Sequence, residues 1–397
     1  MGIYNLLFTT LIKAGINFYS TLPCSYNVEF IQKLEETINQ SNYLRNIKKE
    51  LPSNIHHVPL VREESGVALS AGAYIGGAKT AMLFQNQGLG NMITQLLALN
   101  SQQEGSYKIP NIYIISHRGL EGEKIAAQKP LGKKTGNILD LTDIKYTFIQ
   151  SPSDLDKIEE LLLEYDKGNS IAFLVAPEYE QGPLRLDAKL SINRKLQGAT
   201  FPSINKKATM SRYKAISIIM NLVENEYIIS NIGHPSRELH QIKDRGRNFY
   251  LTSSLGQSYM LALGFALSLG NNSEKILCFE GDGAILMNSA SLSLIPDQNP
   301  TNLIIIVLDN GVYGSTGNVP TYALNKLNLG AIAHVYGFPE SKIRIISEKK
   351  TLRDEVEFAL THDGPFFFHV LINDFYKPVP IIPFSAEEIK RRFMSNR

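Results

Sequence analysis

Short apolar runs recur along the chain, separated by stretches in which apolar residues return every three or four positions. In the first half the strand-like runs are HHVPL (56–60), TAMLF (80–84), NIYIIS (111–116) and IAFLV (171–175). Helical patterns such as GVALSAGAYIGGA and NMITQLLALN lie between them. The second half repeats the plan with YIIS (227–230), FYLTS (249–253), KILCF (275–279), NLIIIVL (302–308), KIRIIS (342–347) and PFFFHVLI (365–372). Such alternation predicts an α/β fold of mostly parallel sheets with helices on both faces. The strands are continuously apolar, as strands buried on both sides are.

From about residue 178 to 208 the periodicity fails. EYEQGPLRLDAKLSINRKLQGATFPSINKK is polar and basic and carries Pro183 and Pro202. It reads as an interdomain linker, here placed at 179–208. Two domains of similar size are therefore expected, 1–178 and 209–385. The final SAEEIKRRFMSNR (385–397) reads as a charged helix or tail with a solvated face, set off as residues 386–397.

Length and composition agree. The 397 residues suit two or three domains, and 43% hydrophobic with 20% charged residues is ordinary for a globular protein. The net charge of +2 comes with no clustered basic face, which argues against nucleic acid as a partner. The longest clean apolar run, Leu303 to Leu308, is a strand's length, far from the ~18 residues of a membrane span. MGIYNLLFTTLIK lacks the basic region and cleavage site of a signal peptide. Cys24 and Cys278 lie far apart in no CxxC pattern, so structural zinc is not expected and a reduced cytoplasmic setting is.

The chemistry concentrates in FEGDGAIL (279–286). Asp282 sits between Gly281 and Gly283 just past the apolar run that ends at Phe279. The next strand, NLIIIVL, is followed at once by DNGVYGSTG (309–317). Parallel strands joined by a helical crossover place both carboxyl ends on one edge, where open α/β sheets bind ligands. Asp282 and Asn310 thus come to one crevice. Carboxylate and amide oxygens are hard ligands suited to Mg²⁺, and flanking glycines let a diphosphate approach the backbone. A lone Gly-Asp-Gly also occurs in plain turns, where Asp caps a helix.

Paired with Asp309-Asn310 after a fixed interval, Gly281-Asp282-Gly283 resembles the thiamine diphosphate signature. The usual last pair is Asn-Asn. Asn310 matches the metal-ligating second residue, and Asp309 is a departure at the other. The resemblance implies metal ligation by Asp282, Asn310 and the carbonyl of Val312. It places Gly281, Gly283, Ala284, Tyr313 and Ser315 near the cofactor. TSSLGQSYMLALGFAL (252–267) resembles the segment in which Leu255 would bend the cofactor and the Ser253 carbonyl would accept from its amino group.

The cofactor's aminopyrimidine needs a carboxylic acid at N1′, kept protonated by an apolar surround. VPLVREESGVALSAGAYIGGAKTAML (58–83) resembles the family segment that carries it. Counting back from Gly72 selects Glu63. Glu64 points elsewhere, because helical neighbours diverge by about 100°. Both are equally the acids that helix N-termini commonly carry. In the family this Glu and the diphosphate site come from different subunits, which implies a homodimer or a dimer of dimers.

The short linker leaves no room for the third domain of the larger thiamine enzymes. LPCSYNVEFIQKL, ISHRGLEGEKIAAQKPLGKKT and NIGHPSREL, together with the segments above, resemble the phosphonopyruvate and sulfopyruvate decarboxylases, with the two subunits of some sulfopyruvate enzymes fused in order. The first domain then corresponds to the pyrimidine-binding part and the second to the diphosphate-binding part. GEKIAAQKPLGKKT and NGVYGSTG favour sulfopyruvate as substrate, implying non-oxidative decarboxylation in coenzyme M biosynthesis. His117, Arg118, Lys124, Lys133 and Gln257 are candidates to meet the sulfonate, each with an alternative reading as a surface charge or loop polar group. Phosphonopyruvate decarboxylase, or another 2-oxoacid decarboxylase, is the alternative on the same scaffold. A cofactor-binding protein without turnover is disfavoured by Glu63. A nicotinamide oxidoreductase is disfavoured because no Gly-x-Gly-x-x-Gly follows a strand with an acidic residue beyond it.

Overall fold

The computed structural model describes residues 2–44, 55–177, 207–271, 274–324, 327–375 and 377–397. Apart from Lys207 and Ala208, the linker expected at 179–208 lies outside them. The chain forms two compact units, Met1–Asn193 and Arg194–Arg397.

The first unit holds six strands: β1 (Phe18–Thr21), β2 (His56–Pro59), β3 (Thr80–Gln85), β4 (Ile112–Ser116), β5 (Lys145–Ile149) and β6 (Ile171–Val175). They form one sheet in the order β2-β1-β3-β4-β6-β5, every pair parallel. Ala81 and Leu83 of β3 belong to an apolar cluster with Leu7, Phe8 and Leu11 of helix Ile3–Lys13, and with Phe30 and Leu34. Met82 points to the other face, as alternation requires. There it meets helix Glu63–Ile75 so closely that a Cβ on Gly66 would lie 2.8 Å from its Sδ. The run of small residues in that helix is what lets it sit on the sheet.

The second unit contains β7 (Tyr227–Ser230), β8 (Asn248–Tyr250), β9 (Ile276–Gly281) and β10 (Leu303–Asp309). A two-residue ribbon follows, β11 (Val312–Tyr313) with β12 (Val319–Pro320), and then β13 (Ile343–Ile346) and β14 (Phe366–Leu371). The main sheet runs β13-β14-β10-β9-β7-β8, all parallel. Read from its other edge, with the ribbon set aside, this is the strand permutation of the first sheet. The two halves are therefore two instances of one topology. Strand order reverses between β1 and β3 in one unit and between β7 and β9 in the other, the places where such sheets bind ligands.

The pattern of apolar runs anticipates ten of the twelve sheet strands and misses β1 and β5. β1 is only four residues long and buries Ser20 and Thr21, whose hydroxyls pair with Ser70 Oγ at 3.2 Å and His57 Nε2 at 2.8 Å. β5 is an edge strand, half in solvent, so its sequence is not continuously apolar. The C-terminal segment also differs from a purely solvated tail. Ala386–Met394 is a helix with a Ser385–Glu388 capping box. It drives Phe393 into the core against Tyr227, Phe249 and Phe265, with ring centroids 5.1 to 5.6 Å apart.

Candidate active site

In the second unit the functional side chains lie where β7, β9 and β10 end. Asp282 is the first residue of helix Asp282–Met287, directly after β9, and is buried. Its Oδ2 accepts a hydrogen bond from Thr321 Oγ1, and the Thr321 N–H donates to the Gly311 carbonyl at 2.8 Å. Burial first, and the nearby Asp309 second, push the Asp282 carboxyl up to about 6.

Asn310 follows β10. The amide atom it turns toward the site lies 3.3 Å from Asp282 Oδ1 and 2.9 Å from the Val312 carbonyl oxygen, both acceptors. With Oδ1 in that place, three acceptor oxygens face one another. With Nδ2 there, the amide donates to both. A small hard cation satisfies the first arrangement as the N–H group satisfies the second. Asp282, Asn310 and the Val312 carbonyl would hold such a cation, and an all-oxygen donor set of this kind suits Mg²⁺. Gly311, at φ +71°, makes the turn that brings the Val312 carbonyl back to Asn310.

The glycines beside Asp282 serve close approach. A Cβ on Gly283 would lie 2.2 Å from Tyr313 Cε1. Ala284 is buried next to it, whereas Ser315, in the turn Gly314–Thr316, is exposed. Ser253 and Leu255 are half-buried in the loop before helix Ser258–Leu269. Ser254 (φ +67°) and Gly256 (φ +80°) flank Leu255 with left-handed backbone. A Cβ on Gly256 would lie 2.8 Å from the Ala284 carbonyl, so this loop is seated on the helix that Asp282 opens. Gln257 is buried, its Oε1 3.4 Å from Asn288 Nδ2. Ser258 Oγ donates to the fully buried Glu280 carboxylate, and burial holds that carboxyl up at about 7.

Three further residues at this edge are not singled out by the sequence patterns. Asn231, Gly233 and His234 follow β7, inside the segment NIGHPSREL. The Asn231 N–H donates to the Phe279 carbonyl at 2.8 Å. Gly233, at φ +76°, opens helix His234–Lys243. A Cβ on Gly314 would lie 3.5 Å from His234 Nδ1 and 3.8 Å from Asn310 Nδ2, which puts His234 beside the oxygen cluster. Burial, with Arg212 and Arg237 nearby, pulls the His234 imidazole down to about 4, so it is neutral at pH 7. The available signal was the Gly-His pair immediately past a fully buried first strand.

In the first unit Glu63 begins the small-residue helix. Its Oε2 accepts from Asn91 Nδ2 at 3.1 Å, and a Cβ on Gly88 would lie 2.5 Å from its Oε1. The Gly-x-Gly-Asn turn of 88–91 thus wraps this carboxylate. Glu64 points elsewhere, paired with Arg62, and is more buried, with Oε2 lacking a partner among the described residues.

The basic candidates are dispersed. His117 is buried and makes a 2.9 Å hydrogen bond to the Gly132 carbonyl through Nε2. Arg118 gives Nε and Nη2 to both oxygens of Glu123, at 2.7 and 2.8 Å, and stacks over Tyr26 at 4.8 Å. Its backbone N–H and carbonyl are held by the Asn86 amide, at 3.0 Å each. Arg118 therefore ties the loops after β1, β3 and β4 together. Lys124 and Lys133 are exposed. Cys24 and Cys278 are both buried, and among the described residues no group of three or more His, Cys, Asp or Glu could hold a metal.

Known proteins resemble this chain at several levels. Residues 231–370 match the thiamine pyrophosphate enzyme family, C-terminal TPP binding domain. A sulfopyruvate decarboxylase of Methanosarcina acetivorans is 32% identical over 390 residues, covering 96% of this chain and 94% of that protein. The beta subunit of a sulfopyruvate decarboxylase from Methanothermobacter thermautotrophicus is 40% identical over 185 residues, 47% of this chain and 94% of the subunit. A phosphonopyruvate decarboxylase of Streptomyces viridochromogenes is 28% identical over 372 residues, 91% of this chain and 86% of that protein. The fold is that of a benzoylformate decarboxylase from Polynucleobacter necessarius, with a TM-score of 0.66 at 13% identity over 95% of this chain and all of that one. Matched over 96% of its length to one such enzyme, the chain belongs to the sulfopyruvate and phosphonopyruvate decarboxylase family of thiamine pyrophosphate-dependent carboxy-lyases.

Proposed function

We propose that the chain converts 3-sulfopyruvate to sulfoacetaldehyde and CO₂ without oxidation, using thiamine diphosphate and Mg²⁺, as a step of coenzyme M biosynthesis in the cytoplasm. The observation that carries this reading is the convergence of Asp282 Oδ1, the Asn310 amide and the Val312 carbonyl at one strand edge, in a chain aligned almost end to end with a sulfopyruvate decarboxylase. Bound thiamine diphosphate supplies the electron sink for loss of CO₂.

The chain's own residues position and polarise. Asp282, Asn310 and the Val312 carbonyl hold the metal. Gly281, Gly283, Ala284, Tyr313 and Ser315 border the diphosphate, and the opening of helix His234–Lys243 adds N–H donors beside it. Leu255 and the Ser253 carbonyl orient the pyrimidine. Glu63 holds the proton given to the pyrimidine nitrogen, its place fixed by Asn91 and Gly88. The 2-oxoacid's anionic end is met from among His117, Arg118, Lys133 and Gln257, and the Arg118 charge arrives already paired with Glu123. The active species is a homodimer or a dimer of dimers, with the site at the subunit interface.

The test is a side-by-side assay of CO₂ release from sulfopyruvate, phosphonopyruvate and pyruvate. It uses purified protein with Mg²⁺ and thiamine diphosphate. Turnover of sulfopyruvate well above the other two is expected. Preference for phosphonopyruvate would transfer the chain to the second reading, which the 28% identity to a phosphonopyruvate decarboxylase supports.

A further inference from the structure

Asp309 ends β10 and is buried, immediately before Asn310. One of its oxygens, Oδ1, accepts from the Gly311 N–H at 2.9 Å and so fixes the turn that returns the Val312 carbonyl to the site. The other, Oδ2, lies 2.7 Å from His369 Nε2. His369 sits on β14, opposite Val307 in the register, and is also buried. Its second nitrogen, Nδ1, has no partner among the described residues. The imidazole therefore makes one side-chain hydrogen bond, and it makes it to Asp309.

A carboxylate placed here is a liability. It directly precedes Asn310, in a site where three acceptor oxygens already converge. A buried carboxylate without a donor is costly, and it relieves that cost by turning toward another donor. That movement releases the Gly311 N–H and with it the turn. We infer that His369 is a positioning residue of the metal site: its Nε2–H anchors Asp309, and Asp309 in turn holds the Asn310–Val312 turn in its ligating form. This rests on the reading of Asp282, Asn310 and Val312 as metal ligands.

The inference predicts that the need for His369 depends on the charge at 309. An Asn there can accept from Gly311 through Oδ1 and carries no charge to compensate. The experiment is a double-mutant cycle on the full chain with thiamine diphosphate, using Mn²⁺ as an electron-paramagnetic probe of metal affinity, with thermal unfolding measured alongside. His369→Phe should weaken Mn²⁺ binding tenfold or more. Asp309→Asn should bind within about threefold of the unaltered protein, and Asp309→Asn/His369→Phe should match Asp309→Asn. His369→Gln, which keeps an N–H donor, should retain affinity better than His369→Phe. Equal loss from His369→Phe in both backgrounds overturns the inference and leaves the metal reading standing. If His369→Phe alone does not fold, the double variant must still fold and bind Mn²⁺, and its failure overturns the inference. Absence of Mn²⁺ binding by the unaltered protein overturns the metal reading itself.

Discussion

The ring of Tyr313 occupies the space that a side chain on residue 283 would need: a Cβ there would stand 2.2 Å from Cε1 and 2.9 Å from Cζ. The contact ties the loop after β10 to the helix that Asp282 opens, so both strand ends present backbone to one small volume. Gly283→Ala is expected to displace the ring or the helix start and to lower thiamine diphosphate affinity at least tenfold by titration calorimetry. Adding Tyr313→Ala should recover much of that loss relative to Tyr313→Ala alone. Unchanged affinity in Gly283→Ala would mean that the ring yields freely and the close approach is incidental.

Glu63 and Glu64 are adjacent but placed for different work. Glu63 is cradled by Gly88 and Asn91, and Glu64 is paired with Arg62. Glu63→Gln should cut decarboxylation by about 10²–10⁴-fold, the usual worth of a positioned acid or base, with cofactor affinity within a few-fold of the parent. Glu64→Gln should keep turnover within about tenfold. A larger loss from Glu64→Gln than from Glu63→Gln would reverse the assignment.

Arg118 tests whether a cation at a strand end is there for substrate or for the fold. Its bidentate bond to Glu123 is buried, so Arg118→Ala leaves that carboxylate without its cation, though the Ile125 N–H still donates to it. Removing one partner of such a pair costs about 3–5 kcal/mol, while replacing both with apolar residues is often near neutral. Urea denaturation should therefore show a large loss for Arg118→Ala and much of it restored in Arg118→Met/Glu123→Leu. A stable Arg118→Ala protein with a raised KM would return the residue to the substrate.

How much was legible from sequence follows from what each element asks of its residues. β9 and β10 are buried on both faces and read as apolar runs, so the residues just past them, Asp282 and Asn310, could be placed at one edge without coordinates. β1 could not be read this way, because its polar residues are satisfied by Ser70 and His57, partners distant in sequence. The same holds for Arg118. Its position after an apolar strand was visible, but its fixed pairing with Glu123 depends on a loop conformation that no periodicity encodes. His369 was hidden inside PFFFHVLI, where a histidine in an apolar run reads as core until its contact with Asp309 is seen.

His57 supplies a pH dependence whose sign can be worked out. It lies on the edge strand β2, with Nε2 2.8 Å from Thr21 Oγ1. Burial pulls its imidazole down from 6.5 to about 4. Between those values the unfolded chain holds a proton at this residue and the folded chain does not. Unfolding then takes up a proton, and stability rises with pH across the window. This contribution is whole above pH 6.5 and shrinks as pH falls toward 4. His56, also lowered by burial, acts in the same direction. The thermal midpoint of the parent should fall from pH 7.5 to pH 5. His57→Gln removes the titration while leaving an amide within reach of Thr21, so its midpoint should fall less over the same interval. Parallel declines in the two proteins would show that other groups govern the acid side and that His57 is not held neutral by the fold.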